Sequence, residues 1–133
     1  AACPGVRPMS VLELHTEGGE TWFTPGSTVS CDASWHLAGE VDRLELRLFW
    51  YTEGKGTQDV VVVARRAVER PESSGHGSFR FRLPAGPYSF SGTLITLKWA
   101  LELVALPGEE AARVDLLVAP TPVEISIQGL REY

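Results

Sequence analysis

His15, His36 and His76 are the chain's three imidazoles. No two of them stand at the H-x-H or H-x-x-x-H spacing that aims two ligands at one metal from a single element. A metal site would have to be assembled across strands. His15 and His36 both fall on the outward side of alternating runs, so they would sit side by side if those strands pair. The simpler reading is a pair of solvated sheet-surface histidines. His76, within "SSGHGS", reads as a turn residue. For nucleophilic catalysis there is no G-x-S-x-G elbow, and neither Cys3 nor Cys31 has a local Cys-His signature. "ESSGHGS" holds Ser and His together, but neighbours in one loop do not make a positioned triad. Gly54-Lys55-Gly56 lacks the G-x-x-x-x-G-K-[ST] frame and a following helix, so it reads as a hairpin turn and not a phosphate cradle. Glu109 and Glu110 beside Pro107-Gly108 read as solvated charge. The expectation is a chain that is not an enzyme, with no metal and no cofactor.

The aromatic residues carry the other chemistry. Trp22, Phe23, Phe49, Tyr51, Tyr88 and Phe90 fall outside the clear inward sets or near strand ends. Exposed Trp and Tyr on a β-sandwich stack on sugars, since each ring offers an apolar face and a polar tip. Trp22, Tyr51 and Tyr88 are therefore the candidate ligand-binding residues. The competing reading is that they cover the ends of the core. Trp22, between turn signals in "GGETWFTPG", is the best candidate for exposure.

The elements that must position these residues follow a period of two. Leu12 and Leu14 point inward in "SVLELHT". In "TVSCDASWHL" the inward set is Val29, Cys31, Ala33, Trp35 and Leu37. In "DRLELRLFWY" it is Leu44, Leu46, Leu48 and Trp50, with Arg43, Glu45 and Arg47 outward. Phe79, Phe81 and Leu83 form the next set, followed by Ile95, Leu97, Trp99, Leu101 and Leu103. "DVVVVARRAV" is continuously apolar through Val60 to Val63; β-branching favours a strand, but its inward face is unreadable. "GEEAARVDLLVA" has helix-like composition, yet Val114, Leu116 and Val118 alternate as in a strand. "VEISIQ" alternates through Val123, Ile125 and Ile127. Gly- and Pro-rich stretches separate the runs. About seven or eight such strands predict an all-β, immunoglobulin-like antiparallel β-sandwich.

The 133 residues suit one domain, residues 1–133, with an ordered core over about 10–128. Hydrophobic residues at 44% and charged residues at 22% are globular values. A net charge of -5 argues against nucleic acid and anionic lipid as main partners. No run reaches the roughly 20 apolar residues of a membrane span, and no apolar leader is seen at the start. Two cysteines are too few for a disulfide framework. A buried free thiol at Cys31 is the simplest reading, and a Cys3–Cys31 disulfide stays open. These features point to the cytoplasm.

Order and spacing add a family resemblance. Pro25-Gly26 precedes a strand. Phe79, Phe81, Leu83 and Pro84 then lead into Pro87, Tyr88, Ser89, Phe90 and Gly92. A long strand with a central Trp99 follows. Over residues 10–125 this resembles the arrestin-like β-sandwich family. The resemblance implies one arrestin N-terminal-like sandwich and a non-catalytic protein-interaction or scaffold module. Its partner would be an unknown protein, and a homo-oligomer through an edge strand is left open. The alternative is a carbohydrate- or small-ligand-binding module using its exposed aromatics. Arrestins join two sandwiches, whereas this chain has length for one and lacks a matching phosphate-sensor cluster.

Overall fold

The structure, a computed structural model, describes residues 10–54, 58–92, 95–108, 110–121 and 125–126. Ten strands are described: β1 (Val11–Thr16), β2 (Trp22–Phe23), β3 (Thr28–His36), β4 (Arg43–Gly54), β5 (Gln58–Glu69), β6 (Ser74–Arg82), β7 (Phe90–Ser91), β8 (Ile95–Leu106), β9 (Ala111–Val118) and β10 (Ile125–Ser126). One 3-10 turn covers Glu17–Gly19. The count exceeds the seven or eight expected because β2 and β7 have two residues each, too few for alternation to register. "GEEAARVDLLVA" is strand β9, as its alternation indicated. Lys55, Gly56, Glu109, Cys3 and most of "VEISIQ" lie outside the described residues.

A small antiparallel sheet has the order β1-β3-β6. The larger sheet runs β10-β7-β8-β4-β5, with β9 also on β8 and β2 on β9. The β7–β10 and β2–β9 pairings are parallel. The architecture is thus a β-sandwich of mostly antiparallel strands, with two short parallel exceptions. The inward faces meet in one core that holds Val29, Cys31 and Trp35 of β3, Leu44, Leu46 and Leu48 of β4, and Phe81 of β6. Leu97, Trp99, Leu101 and Leu103 of β8 complete its centre. Ile95 departs from the expected inward set and is 49% exposed. It stands opposite Gly54, which has no side chain to cover it.

The break between the two alternating runs carries the chain from one sheet to the other. The amide of Leu83 donates to Ser27 O at 2.8 Å and that of Gly26 to Pro84 O at 3.1 Å. Gly26, at φ 79°, occupies the left-handed corner of a Thr24–Ser27 turn closed by a 3.1 Å hydrogen bond. Beyond Pro84 the crossing segment is tied to the large sheet. The Trp99 indole N–H donates to Pro87 O at 2.9 Å. Ser89 is buried and exchanges two hydrogen bonds with Val118, through its amide at 2.7 Å and its hydroxyl oxygen at 3.1 Å.

His76 belongs to strand β6 and not to a loop. Gly75 and Gly77 imitated a turn signal, but they are ladder residues opposite Trp35 and Ala33. A Cβ on Gly75 would stand 2.7 Å from Trp35 Cζ2, and that indole is anchored by its N–H on Glu72 O at 3.1 Å. Gly75→Ala is therefore expected to destabilise by about 1–2 kcal/mol through overpacking. A urea midpoint equal to that of the parent chain would refute the contact.

Candidate interaction edge

β5 is twelve residues long and terminal in the large sheet, pairing only with β4 among the described residues. Its register steps from Leu48↔Ala64 to Phe49↔Val62, which leaves Val63 unmatched as a bulge. The bulge explains why "VVVV" has no readable face. Val61 and Ala64 both sit over inward β4 residues, Trp50 and Leu48, although they are three apart. Val60 is 56% exposed, Val61 40% and Val63 37%. A terminal strand also has one row of N–H and C=O groups with no ladder partner, a template for another strand.

Next to this edge, the outer face of the large sheet is covered by its own side chains. Alternation places Arg43, Glu45 and Arg47 on one side of β4, and Arg65 lies opposite Arg47 on β5. Glu45 is buried despite facing outward. Its carboxylate is 3.0 Å from Arg47 Nε, 3.3 Å from Arg65 Nε and 3.4 Å from Arg43 Nη2. The Arg47 hydrogen bond holds the Glu45 carboxyl below its ordinary range, against the opposing effect of burial and with help from the other guanidinium charges. Further along β4, Phe49 and Tyr51 pack 6.0 Å apart with Val62 and Ala100 in a second cluster. The Arg113 guanidinium covers both rings, 5.3 Å from Phe49 and 4.7 Å from Tyr51. Arg66, on the other face of β5, sits 5.1 Å over the Phe81 ring of β6.

The three candidate aromatics have three different fates. Tyr51 is buried under Arg113, so it is not an accessible platform. Trp22 is half-buried, and its indole N–H donates to Ala119 O at 2.9 Å. Tyr88 is exposed. The sequence gives no sign of the Tyr51 cover, because Arg113 reaches it from two strands away. Strands β1 and β3 do pair, yet His15 lies opposite Asp32 and His36 opposite Val11. About 13 Å of strand separates the two histidines. Among the described residues, no group of three or more His, Cys, Asp or Glu is placed to hold a metal ion. No helix among them is long and apolar enough to cross a membrane.

Cys31 is a free, buried thiol. Burial, with the neighbouring Asp32 charge, pushes its pKa up to about 11. In the native protein at pH 7.5 it should resist iodoacetamide, because the thiolate is the nucleophile. Peptide mapping that finds Cys31 alkylated without denaturant would refute this.

Among the described residues, β5 is thus a long terminal strand of the large sheet with several exposed apolar side chains and two arginines. No family model and no curated protein matches the chain. Among solved structures it is similar to Spo0M, a sporulation control protein from Bacillus subtilis, at 13% identity and a TM-score of 0.58. That similarity covers 86% of this chain and 51% of the other, so the chain spans about half the length of the structure it matches. A β-glucosidase from Listeria innocua aligns at 10% identity and a TM-score of 0.46, over 87% of this chain and 16% of that one. The chain shares the arrestin-like sandwich fold with Spo0M, and the fold is what the likeness establishes.

Proposed function

We propose that the chain is a non-catalytic protein-interaction or scaffold module that engages a partner through β5. The observation that carries this reading is the β5 edge, unpaired among the described residues, with Val60, Val61 and Val63 exposed. Addition of a strand to such an edge supplies backbone hydrogen bonds and removes apolar surface from water. The fold shared with Spo0M, a sporulation control protein, is compatible with it. The free Cys31 thiol supports a reducing compartment, the cytoplasm, as its location. A photo-cross-linking residue at Val60, compared with one at the exposed Ser78 of β6, tests the reading in the native host. A discrete adduct at Val60 alone is expected. Equal labelling at both sites, or none at Val60, would end it.

A second reading, carbohydrate or small-ligand binding, has one supporting observation. Trp22 lines a cleft of about 430 Å3 with Glu17, Glu20, Thr28 and Ser30. Glycan-array binding that Trp22→Ala abolishes would support it, and a blank array would remove it.

A further inference from the structure

We infer that the β5 edge pairs antiparallel with β5 of a second copy of this chain, about a two-fold axis at the Val63 bulge, with Asp59 of each copy opposite Arg66 of the other. This deepens, and rests on, the reading of β5 as the interaction edge. Every β4 residue from Arg43 to Glu53 has a β5 partner, so β4 fixes which β5 residues share a face. Asp59, Val61, Ala64 and Arg66 stand opposite Thr52, Trp50, Leu48 and Leu46, on the core-facing side. Val60, Val62 and Arg65 stand opposite Tyr51, Phe49 and Arg47, on the outer side. The unmatched Val63 thus reverses the alternation midway along the strand. Core-side residues are odd-numbered before it and even-numbered after it. A strand of this kind is complementary to itself. With the two-fold axis between Val62 and Val63, Asp59 meets Arg66, Val60 meets Arg65 and Val61 meets Ala64. Each of these pairs shares a face, as an antiparallel ladder requires. Without the bulge the same alignment would set core-side residues against outer ones.

The charges fit this alignment. Asp59 and Arg66 are both exposed, and neither side chain forms an ion pair among the described residues. The two-fold axis brings them together twice, once at each end of the paired segment. β5 carries Asp59 and Glu69 against Arg65 and Arg66, so two copies of this edge meet without net repulsion although the chain carries a net charge of -5. The exposed valines are covered as well. Val61 faces Ala64, Val63 faces Val62, and Val60 lies along the aliphatic stem of Arg65. Sliding the copy two residues along, so that Val62 faces Arg65, keeps the faces matched but sets both arginines opposite valines and forms no charge pair. Cross-strand pairs of opposite charge and of β-branched side chains are the favourable ones, which selects the Asp59–Arg66 alignment.

The test is sedimentation velocity of the full chain over a concentration series reaching about 1 mM. A monomer–dimer equilibrium is expected. Asp59→Arg and Arg66→Asp each turn both ion pairs into repulsions, so each variant alone should dimerise about tenfold more weakly. An equimolar mixture of the two variants restores opposite charges at both contacts, and a heterodimer of parental affinity should return. Mixing does not rescue a misfolded variant, so recovery separates the charge contact from loss of the Arg66–Phe81 packing. A chain that stays monomeric throughout overturns this inference, while a Val60 cross-link to a different protein leaves the interaction-edge reading standing. A dimer that Val60→Lys abolishes but mixing fails to rescue overturns the Asp59–Arg66 alignment and keeps the edge. A dimer indifferent to Val60→Lys forms elsewhere and overturns this inference; joined to the absence of a Val60 cross-link, it ends both.

Discussion

Trp99→Ala is expected to lower stability by about 3–5 kcal/mol, the cost of emptying a large aromatic site in a packed core. For a domain whose total stability is about 5–15 kcal/mol, that approaches loss of the fold. Trp99 is fully buried and stands between Trp50 on β4 and Leu116 on β9. It also does a second job. Its indole N–H holds Pro87 O, and so fixes the segment that crosses between sheets. Trp99→Phe separates the two contributions. It keeps an aromatic ring in the core, removes the donor and leaves the part-buried Pro87 carbonyl short of a partner, at a cost of about 1–2 kcal/mol. Guanidinium unfolding followed by far-ultraviolet circular dichroism measures both. If the two variants lose equal stability, ring volume is not what matters. If Trp99→Ala loses less than about 1 kcal/mol, the ring is not at the centre of the core.

Glu45→Gln should cost about 1–2 kcal/mol near neutral pH, because it removes a charged hydrogen bond to Arg47 and a shared ion pair while the guanidiniums left behind stay partly solvated. The figure sits below that for fully buried pairs, since the Arg43 and Arg65 side chains are 48% and 64% exposed. The same group sets a pH dependence whose sign follows from linkage. The Glu45 carboxyl is held below its ordinary value of 4.5 in the folded chain. The folded state therefore binds the proton less readily than the unfolded one. Its contribution is fully present above the unfolded value, and is lost as pH falls through the folded value. The parent chain should lose stability on acidification through and below pH 4.5, and the gap to Glu45→Gln should narrow over the same interval. Urea midpoints at a series of pH values give the comparison. A gap that stays constant into acid would show that Glu45 is not the titrating group.

Alternation alone picked out the core-facing side of the long strands other than β5. Val29, Cys31, Ala33 and Trp35, and likewise Leu97, Trp99, Leu101 and Leu103, are inward because side chains two apart share a face wherever the backbone is extended. The crossing segment was legible for the same local reason, since Pro84 and Pro87 cannot continue a ladder. Local rules failed where the cause was distant. Gly75 looked like punctuation, but it is a strand residue whose missing side chain makes room for Trp35. His15 and His36 were correctly placed on an outward face, yet their separation depends on a register that pairs Val11 with His36. Tyr51 is closed to ligands by Arg113, a residue sixty-two positions later in the sequence.

The candidate site shows the same division. The sequence by itself determined that Val60 to Val63 form a strand flanked by Arg65 and Arg66, because β-branching and the lack of a helical period are properties of the segment. Only the tertiary structure decided that this strand ends its sheet, that Val63 is bulged, and that Arg66 meets Phe81 across the sandwich. Whether a strand is central or terminal depends on which other strands reach it, and those contacts lie far away in sequence.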